Sequence, residues 1–316
     1  MKGMIENMSD NKLIATRQSY GEILEQLGSE NKNIVVLDAD LSTATKTELF
    51  AKKYPNRFFD IGIAEQDMIG TAAGLASCGK IAFASTFAMF AAGRAYDQIR
   101  NSVCYPKLNV KICATHAGVT VGEDGATHQM IEDISMMRTI PNLKVFCPSD
   151  DIQTKFIIRE ISKITEPCYV RLSRLASPII YDENEKFELH KAKQIGDGTD
   201  VTIFATGVCV AEALKAKEEL EKKGIYARVV DIFSIKPIDS ETIIRCAKET
   251  KKIVTVEDHN IIGGLGSSIC EVLSSQYPVK VIRLGINDSF GKSGSAKELM
   301  KLFKIDSESI VDAVLE

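Results

Sequence analysis

Short apolar, β-branched runs alternate along this chain with longer segments whose apolar positions recur at helical spacing. The runs at 34–37, 58–61, 81–85, 110–114, 145–147 and 169–172 are apolar on consecutive positions, as expected of strands buried on both faces. Segments 65–78 and 94–104 between them carry spaced apolar residues and good helix formers. Strand followed by helix, repeated, predicts βα units carrying a parallel sheet. After Ser177-Pro178 the pattern lapses into the polar stretch Tyr181-Asp-Glu-Asn-Glu-Lys-Phe187, which reads as an exposed linker. A second series follows, with strands at 201–205, 227–232, 253–256 and 279–284 and helices near 209–223 and 240–248. The expected fold is α/β: two domains, each a mostly parallel sheet flanked by helices, at 1–180 and 191–316 with a linker at 181–190.

Composition narrows the class. The 316 residues are twice the ~150 of a typical domain, so each half has room for its own core. Apolar residues make up 45% and charged residues 26%, and no run reaches the ~18 apolar residues of a membrane span. The start, MKGMIENMSDNK, lacks the apolar core of a secretion signal, so a cytoplasmic protein is expected. A net charge of −4 offers no basic stripe to nucleic acid. The eight cysteines are scattered without a CxxC pair and read as reduced, mostly buried hydrophobes. Small molecules and protein partners remain as ligands.

Candidate chemistry clusters at the expected strand ends, where open α/β sheets bind ligands. Asp60-Ile-Gly-Ile-Ala-Glu65 places a carboxylate where a strand gives way to a helix rich in Gly and Ala. Taken alone, Glu65 is equally a first-turn residue favoured by the helix dipole. Phe87 and Phe90 follow the next strand, and are either core or a wall for a flat heteroaromatic ring. The segment from Thr115 to Gln129 holds three glycines, two of the four histidines and two carboxylates. Packing does not account for such a loop; its glycines would let backbone approach a ligand, and histidine as a residue type can donate to phosphate or hydroxyl. The two histidines stand too far apart, with no third ligand, to suggest a metal site. Arg171 and Arg174 end a further strand, as phosphate forks or surface salt-bridge partners.

The order of these motifs resembles the transketolase family. Ile63-Ala64-Glu65-Gln66, Ser85-Thr86-Phe87, Thr115-His116, Gly122-Glu123-Asp124-Gly125-Ala126-Thr127-His128-Gln129 and Leu172-Ser173-Arg174 match its pyrimidine-binding domain. Val254-Thr255-Val256-Glu257-Asp258 and Gly263-Gly264-Leu265-Gly266-Ser267 extend the likeness through its C-terminal domain. The resemblance implies thiamine diphosphate as cofactor, with Glu65 hydrogen-bonding the pyrimidine ring so that its amino group can deprotonate the thiazolium. It implies a ring contact for Phe90 and Phe87 and a place near the cofactor for Asp40. It implies sugar-phosphate binding by Arg17, His116 and Arg174, sugar-hydroxyl contacts for Asp124 and His128, and a catalytic part for Glu65 and His128. The implied reaction is two-carbon ketol transfer from a ketose phosphate of the xylulose 5-phosphate class to an aldose phosphate, as in the pentose phosphate pathway.

Departures from the family shape the expectation. Ala44 stands where the family has a phosphate-binding serine, and Gly93-Arg94-Ala95-Tyr96-Asp97-Gln98 looks more like deoxyxylulose-phosphate synthase. The family's signature for Mg²⁺ and diphosphate, a Gly-Asp-Gly followed by an Asn some 25 to 30 residues later, does not occur in the sequence: Gly196-Asp197-Gly198 has no such Asn after it. The resemblance therefore implies the carboxy-terminal subunit of a split transketolase. Its N-terminal, diphosphate-binding partner would carry the Mg²⁺ ligands, and two copies of each chain would form an α2β2 assembly. Rival readings are the β subunit of a 2-oxo-acid dehydrogenase, a split deoxyxylulose-phosphate synthase, and a non-catalytic regulatory subunit.

Overall fold

The computed structural model describes residues 12–316. The expectation about a secretion signal falls almost wholly on residues outside that range. No helix among the described residues is long and apolar enough to cross a membrane.

The first sheet is built from β2 (Ile34–Asp38), β3 (Phe58–Asp60), β4 (Ile81–Phe87), β5 (Val110–Thr115), β6 (Lys144–Phe146) and β7 (Cys168–Arg171), all parallel. Its spatial order runs β6-β7-β5-β4-β2-β3. Register places Asp60 beside Asp38, Asp38 beside Ser85, Phe87 beside Thr115 and Ala114 beside Arg171, so the strands end along one edge. Helices Thr16–Glu30 and Asp151–Ile161 cover one face through Tyr20, Ile23, Leu24, Leu27, Ile157 and Ile161. Helices Glu65–Ser77 and Asp133–Thr139 cover the other through Met68, Ile69, Ala72, Ile134 and Met137. A short antiparallel ribbon of β1 (Leu13–Ala15) and β8 (Ala176–Pro178) brings the start of the Thr16 helix beside the end of β7, where Thr16 Oγ1 accepts from Ser173 N at 2.7 Å.

The second sheet has β10 (Val201–Ala205), β11 (Ala227–Asp231), β13 (Lys252–Asn260) and β14 (Val281–Ile286) in parallel, with β9 (Lys193–Ile195) antiparallel at its edge. The α/β class with mostly parallel sheets is therefore as expected from the apolar runs. The two halves are less separate than the expected linker implies. Strand β12 (Ser234–Lys236), from the second half, pairs antiparallel with β6 and extends the first sheet to seven strands. Ile243, Ile269 and Leu273 of the second half share one apolar cluster with Met68 and Ile134 of the first.

Two expectations change in detail. The linker exposes Asp182, Glu183 and Asn184, but Tyr181 is buried and Phe187 meets it edge to face at 4.9 Å. The aromatics anchor what polarity alone made look free. The segment expected as one helix at 94–104 winds instead through π-helical turns at Met89–Arg94 and Gln98–Cys104, with Ala95 N donating to Phe90 O and Tyr105 N to Arg100 O. Such wide turns are rare and concentrate at functional sites.

Candidate active site at the strand ends

The carboxyl edge of β4 and β5 carries the chemistry. Phe87, the last residue of β4, lies nearly parallel to Phe90 (centroids 5.9 Å, 14°) and stacks on the His116 imidazole at 3.8 Å. His128 closes the group edge-on, 5.6 Å from Phe90. The structure thus brings Phe87, Phe90, His116 and His128 together as one ring-lined wall. A flat heteroaromatic ligand is what such a wall suits.

Glu65 begins its helix, where the dipole favours a carboxylate, and is buried. Its partner was not singled out from sequence: Arg94 Nη1 donates to Glu65 Oε2 at 2.7 Å, while the same guanidinium lies 4.6 Å from the Phe90 ring. The signal was present in the Gly93 to Gln98 motif, but only the π-turn beginning at Met89 shows that Arg94 folds back over Phe90. Asp40 sits exposed at the end of β2 with φ +60°, its backbone N–H donating to Asp60 Oδ1. No contact ties Asp40 to the ring wall.

Next to the wall, positive groups crowd. Arg17 Nη1 donates to Ala44 O at 2.8 Å and lies 3.2 Å from His116 Nε2. A guanidinium has no acceptor, so His116 Nε2 accepts, and Nδ1 faces the Thr115 hydroxyl at 2.9 Å. The imidazole is buried, which pushes its pKa down, and Arg17, Arg174 and His128 push the same way, to about 3. It is neutral at physiological pH. Burial and then the nearby Arg174 also pull the Arg17 pKa down. Arg174 Nη1 donates to Val121 O at 2.6 Å and stands 3.5 Å from Asp124 Oδ2. Two guanidiniums that repel each other beside a neutral imidazole form a place for an anion. The Ala44 region contributes its carbonyl to Arg17, and Thr45 hydroxyl is committed to buried Asp38 at 2.7 Å, so Thr45 does not stand in for a phosphate-binding serine.

Two sequence readings are corrected here. Arg171 is buried and paired with Asp133 at 2.9 Å, with its Nη2 donating to Met130 O and Asp258 O. It is an internal tie and faces no ligand edge. The loop glycines also have a packing explanation: a Cβ on Gly118 would collide with Asp258, and one on Gly125 with Ser293. Their φ values of +81° and +75° further favour glycine. What they allow to approach is the side chains of Asp258 and Ser293, from the second half of the chain.

Comparison with known proteins agrees with this geometry. The model of the transketolase pyrimidine-binding domain matches residues 12–178, and that of the transketolase C-terminal domain matches residues 190–310. A putative transketolase C-terminal section from Methanocaldococcus jannaschii is 55% identical over 303 residues, 95% of each chain. A 6-deoxy-6-sulfo-D-fructose transketolase subunit from Clostridium sp. is 42% identical over 300 residues, 95% of this chain and 93% of that one. A solved split-gene transketolase, described as an inactive beta4 tetramer, superposes with a TM-score of 0.89 at 51% identity over 96% of this chain and 97% of that one. The chain belongs to the transketolase family, of which it carries the pyrimidine-binding and C-terminal domains.

Proposed function

We propose that this chain is the cytoplasmic, pyrimidine-binding subunit of a thiamine-diphosphate-dependent transketolase that transfers a two-carbon ketol unit between sugar phosphates. The observation that carries the reading is the juxtaposition of the Phe87–Phe90–His116 stack with the Arg17–Arg174 pair at one sheet edge. One feature suits the cofactor ring, the other an anionic sugar. When bound, thiamine diphosphate supplies the carbanion-stabilising chemistry that side chains lack.

In this reading Phe87 and Phe90 hold the pyrimidine face, and Asp40 lies near the cofactor on the β2 side. Arg94 engages Glu65 Oε2, and Glu65 Oε1 is the oxygen we assign to the ring nitrogen. Arg17 and Arg174 meet the phosphate, with His116 orienting Arg17 by accepting from Nη1. Asp124 takes a sugar hydroxyl, and His128 holds or moves a proton there. The diphosphate and Mg²⁺ fall to a partner subunit: among the described residues no group of three His, Cys, Asp or Glu side chains gathers to hold a metal. Two copies of each chain in an α2β2 assembly follow. A sulfonate carries charge as a phosphate does, so the named relative's sulfosugar is an alternative donor for the same arginines.

The test is reconstitution. The chain with its diphosphate-binding partner, thiamine diphosphate and Mg²⁺ is expected to convert xylulose 5-phosphate and ribose 5-phosphate; the chain alone is expected to be inactive. Turnover of pyruvate with glyceraldehyde 3-phosphate instead would overturn the assignment, and preference for a sulfosugar donor would replace only the substrate class. Glu65→Ala should lower the reconstituted rate by about 100-fold or more; a change below tenfold would remove Glu65 from the chemistry.

A further inference from the structure

The loop from His116 to Gln129 has little ladder of its own. Its internal backbone bonds are turn bonds, among them Gly122 N to Val119 O, Gly125 N to Gly122 O and His128 N to Gly125 O. Three glycines at positive φ lie along it, so the isolated segment has many accessible conformations. The feet of the loop are tied, since Ala117 bridges Met130 and Gly118 N donates to Met130 O at 2.8 Å; how the span between them, with Asp124, is held against His116 and His128 is set by what pins the middle of the loop.

That pin comes from the second domain. Asp258, on β13, is buried, and its Oδ1 accepts from Val119 N at 2.8 Å. Its Oδ2 accepts from Thr120 N at 3.3 Å and from Thr120 Oγ1 at 2.6 Å. The Asp258 backbone is held in turn, because Arg171 Nη2 donates to its carbonyl oxygen at 2.8 Å. Gln129 Nε2 makes a second tie, donating to Val119 O, Gly122 O and Lys292 O. Val119 itself is buried in the apolar cluster of the second domain with Val254, Val256 and Leu299. The tip of the loop is thus a structural part of the other domain.

We propose that Asp258 is a positioning residue for substrate recognition, by which the second domain holds the middle of the loop so that His116, Asp124 and His128 keep the spacing a sugar phosphate requires. This rests on the reading of the loop as the sugar-binding element. It gives the second domain a defined part in the reaction through Asp258 and Thr120, both of them buried. Loosening the pin should weaken sugar binding and leave Phe87, at the end of β4, and Phe90, in the π-turn after it, as they were.

Thr120→Val removes one bond to Asp258 Oδ2 and keeps both backbone bonds; Thr120→Ser restores the hydroxyl; Asp258→Asn removes the charge and turns a donor towards one side of the loop. In the reconstituted complex Thr120→Val is expected to raise KM for xylulose 5-phosphate about fivefold, the worth of one buried hydrogen bond, with kcat changed less than KM. Asp258→Asn should do more, Thr120→Ser should return KM to the wild-type value, and the affinity for thiamine diphosphate should hold in all three. Hydrogen–deuterium exchange on the chain alone gives a readout free of catalysis: the peptide containing Val119 and Thr120 should exchange faster in Thr120→Val and Asp258→Asn, while the strand peptides of β4 and β10 stay protected. Equal losses in kcat and KM with a general rise in exchange would overturn the proposal, as would faster loop exchange with unchanged KM. A wild-type complex without ketol transfer would defeat the functional reading instead, and unaltered loop exchange in the variants would then still refute the pin.

Discussion

The imidazole of His116 sits between the Thr115 hydroxyl and the Arg17 guanidinium, at φ +58°. A non-glycine residue in that region carries strain, which persists where surrounding contacts over-determine the conformation. Here the over-determination is chemical, since one ring nitrogen must accept from Arg17 while burial and three neighbouring groups oppose a second proton. The ring therefore stays neutral down to about pH 3 in the folded chain. Its unfolded counterpart takes up a proton near pH 6.5, so the unfolded state binds more protons in the window from about 6.5 to 3 and stability falls as pH drops through it. In an NMR titration the His116 ring resonances should not move between pH 8 and pH 5. A midpoint near 6 would mean that the ring is neither buried nor held by Arg17 as described. Arg94 is the other residue whose role depends on geometry, because its charge meets the buried Glu65 and the Phe90 face together.

At the scale of elements, helix Leu265–Gln276 begins in the segment Gly263-Gly264-Leu265-Gly266-Ser267, which resembles an anion cradle. The cradle is filled from within: Glu257 Oε2 accepts from Leu265 N at 2.6 Å and Oε1 from Gly266 N at 2.8 Å. Glu257→Ala should lower stability by about 1–3 kcal/mol, the cost of leaving two buried N–H groups unpaired, read as a drop in Tm. An unchanged Tm would mean that water or another group serves those donors. The parallel strands were legible because burial on both faces leaves consecutive apolar runs, and the ends of β10 were read without error. Strand β12 was not, because Ser234-Ile235-Lys236 is too short and too mixed to signal pairing with a distant β6. The strand-end site was legible as single residues in order, through Glu65, Phe87, Phe90, His116 and His128. Its supports, Arg94 and Asp258, were not assigned roles, since a partner 29 or 139 positions away leaves no local pattern. The glycines of the loop stand out in the sequence, but periodicity does not say which distant side chains they admit.

Across the whole molecule, the two domains meet at a buried carboxyl as well as at the loop. Asp231, the last residue of β11, accepts through Oδ2 from Ser149 Oγ, Gln153 Nε2 and the Tyr181 hydroxyl, so it joins the second sheet to the first domain and to the connecting segment. Among the described residues Oδ1 is buried without a hydrogen-bond partner. Burial is the main cause that pushes its pKa up, to about 7, with the neighbouring Asp150 adding to it against the three donors. A carboxyl raised from 3.8 binds more protons folded than unfolded, so its stabilising contribution is present in acid and is lost as pH rises through about 7. Glu257 runs in the same direction and His116 in the opposite one, so the pH profile of the wild-type chain mixes all three. A difference measurement separates them. The unfolding free energy of Asp231→Asn minus that of the wild type, from denaturant titrations, should rise steadily from pH 5 to pH 7 and level off above pH 8, a swing on the order of a few kcal/mol. The offset at pH 5 reports the amide's own misfit and cancels from the slope. A difference that stays flat over the whole range would show that Asp231 is ionised at pH 5 already, and that the domains dock on a charged carboxylate.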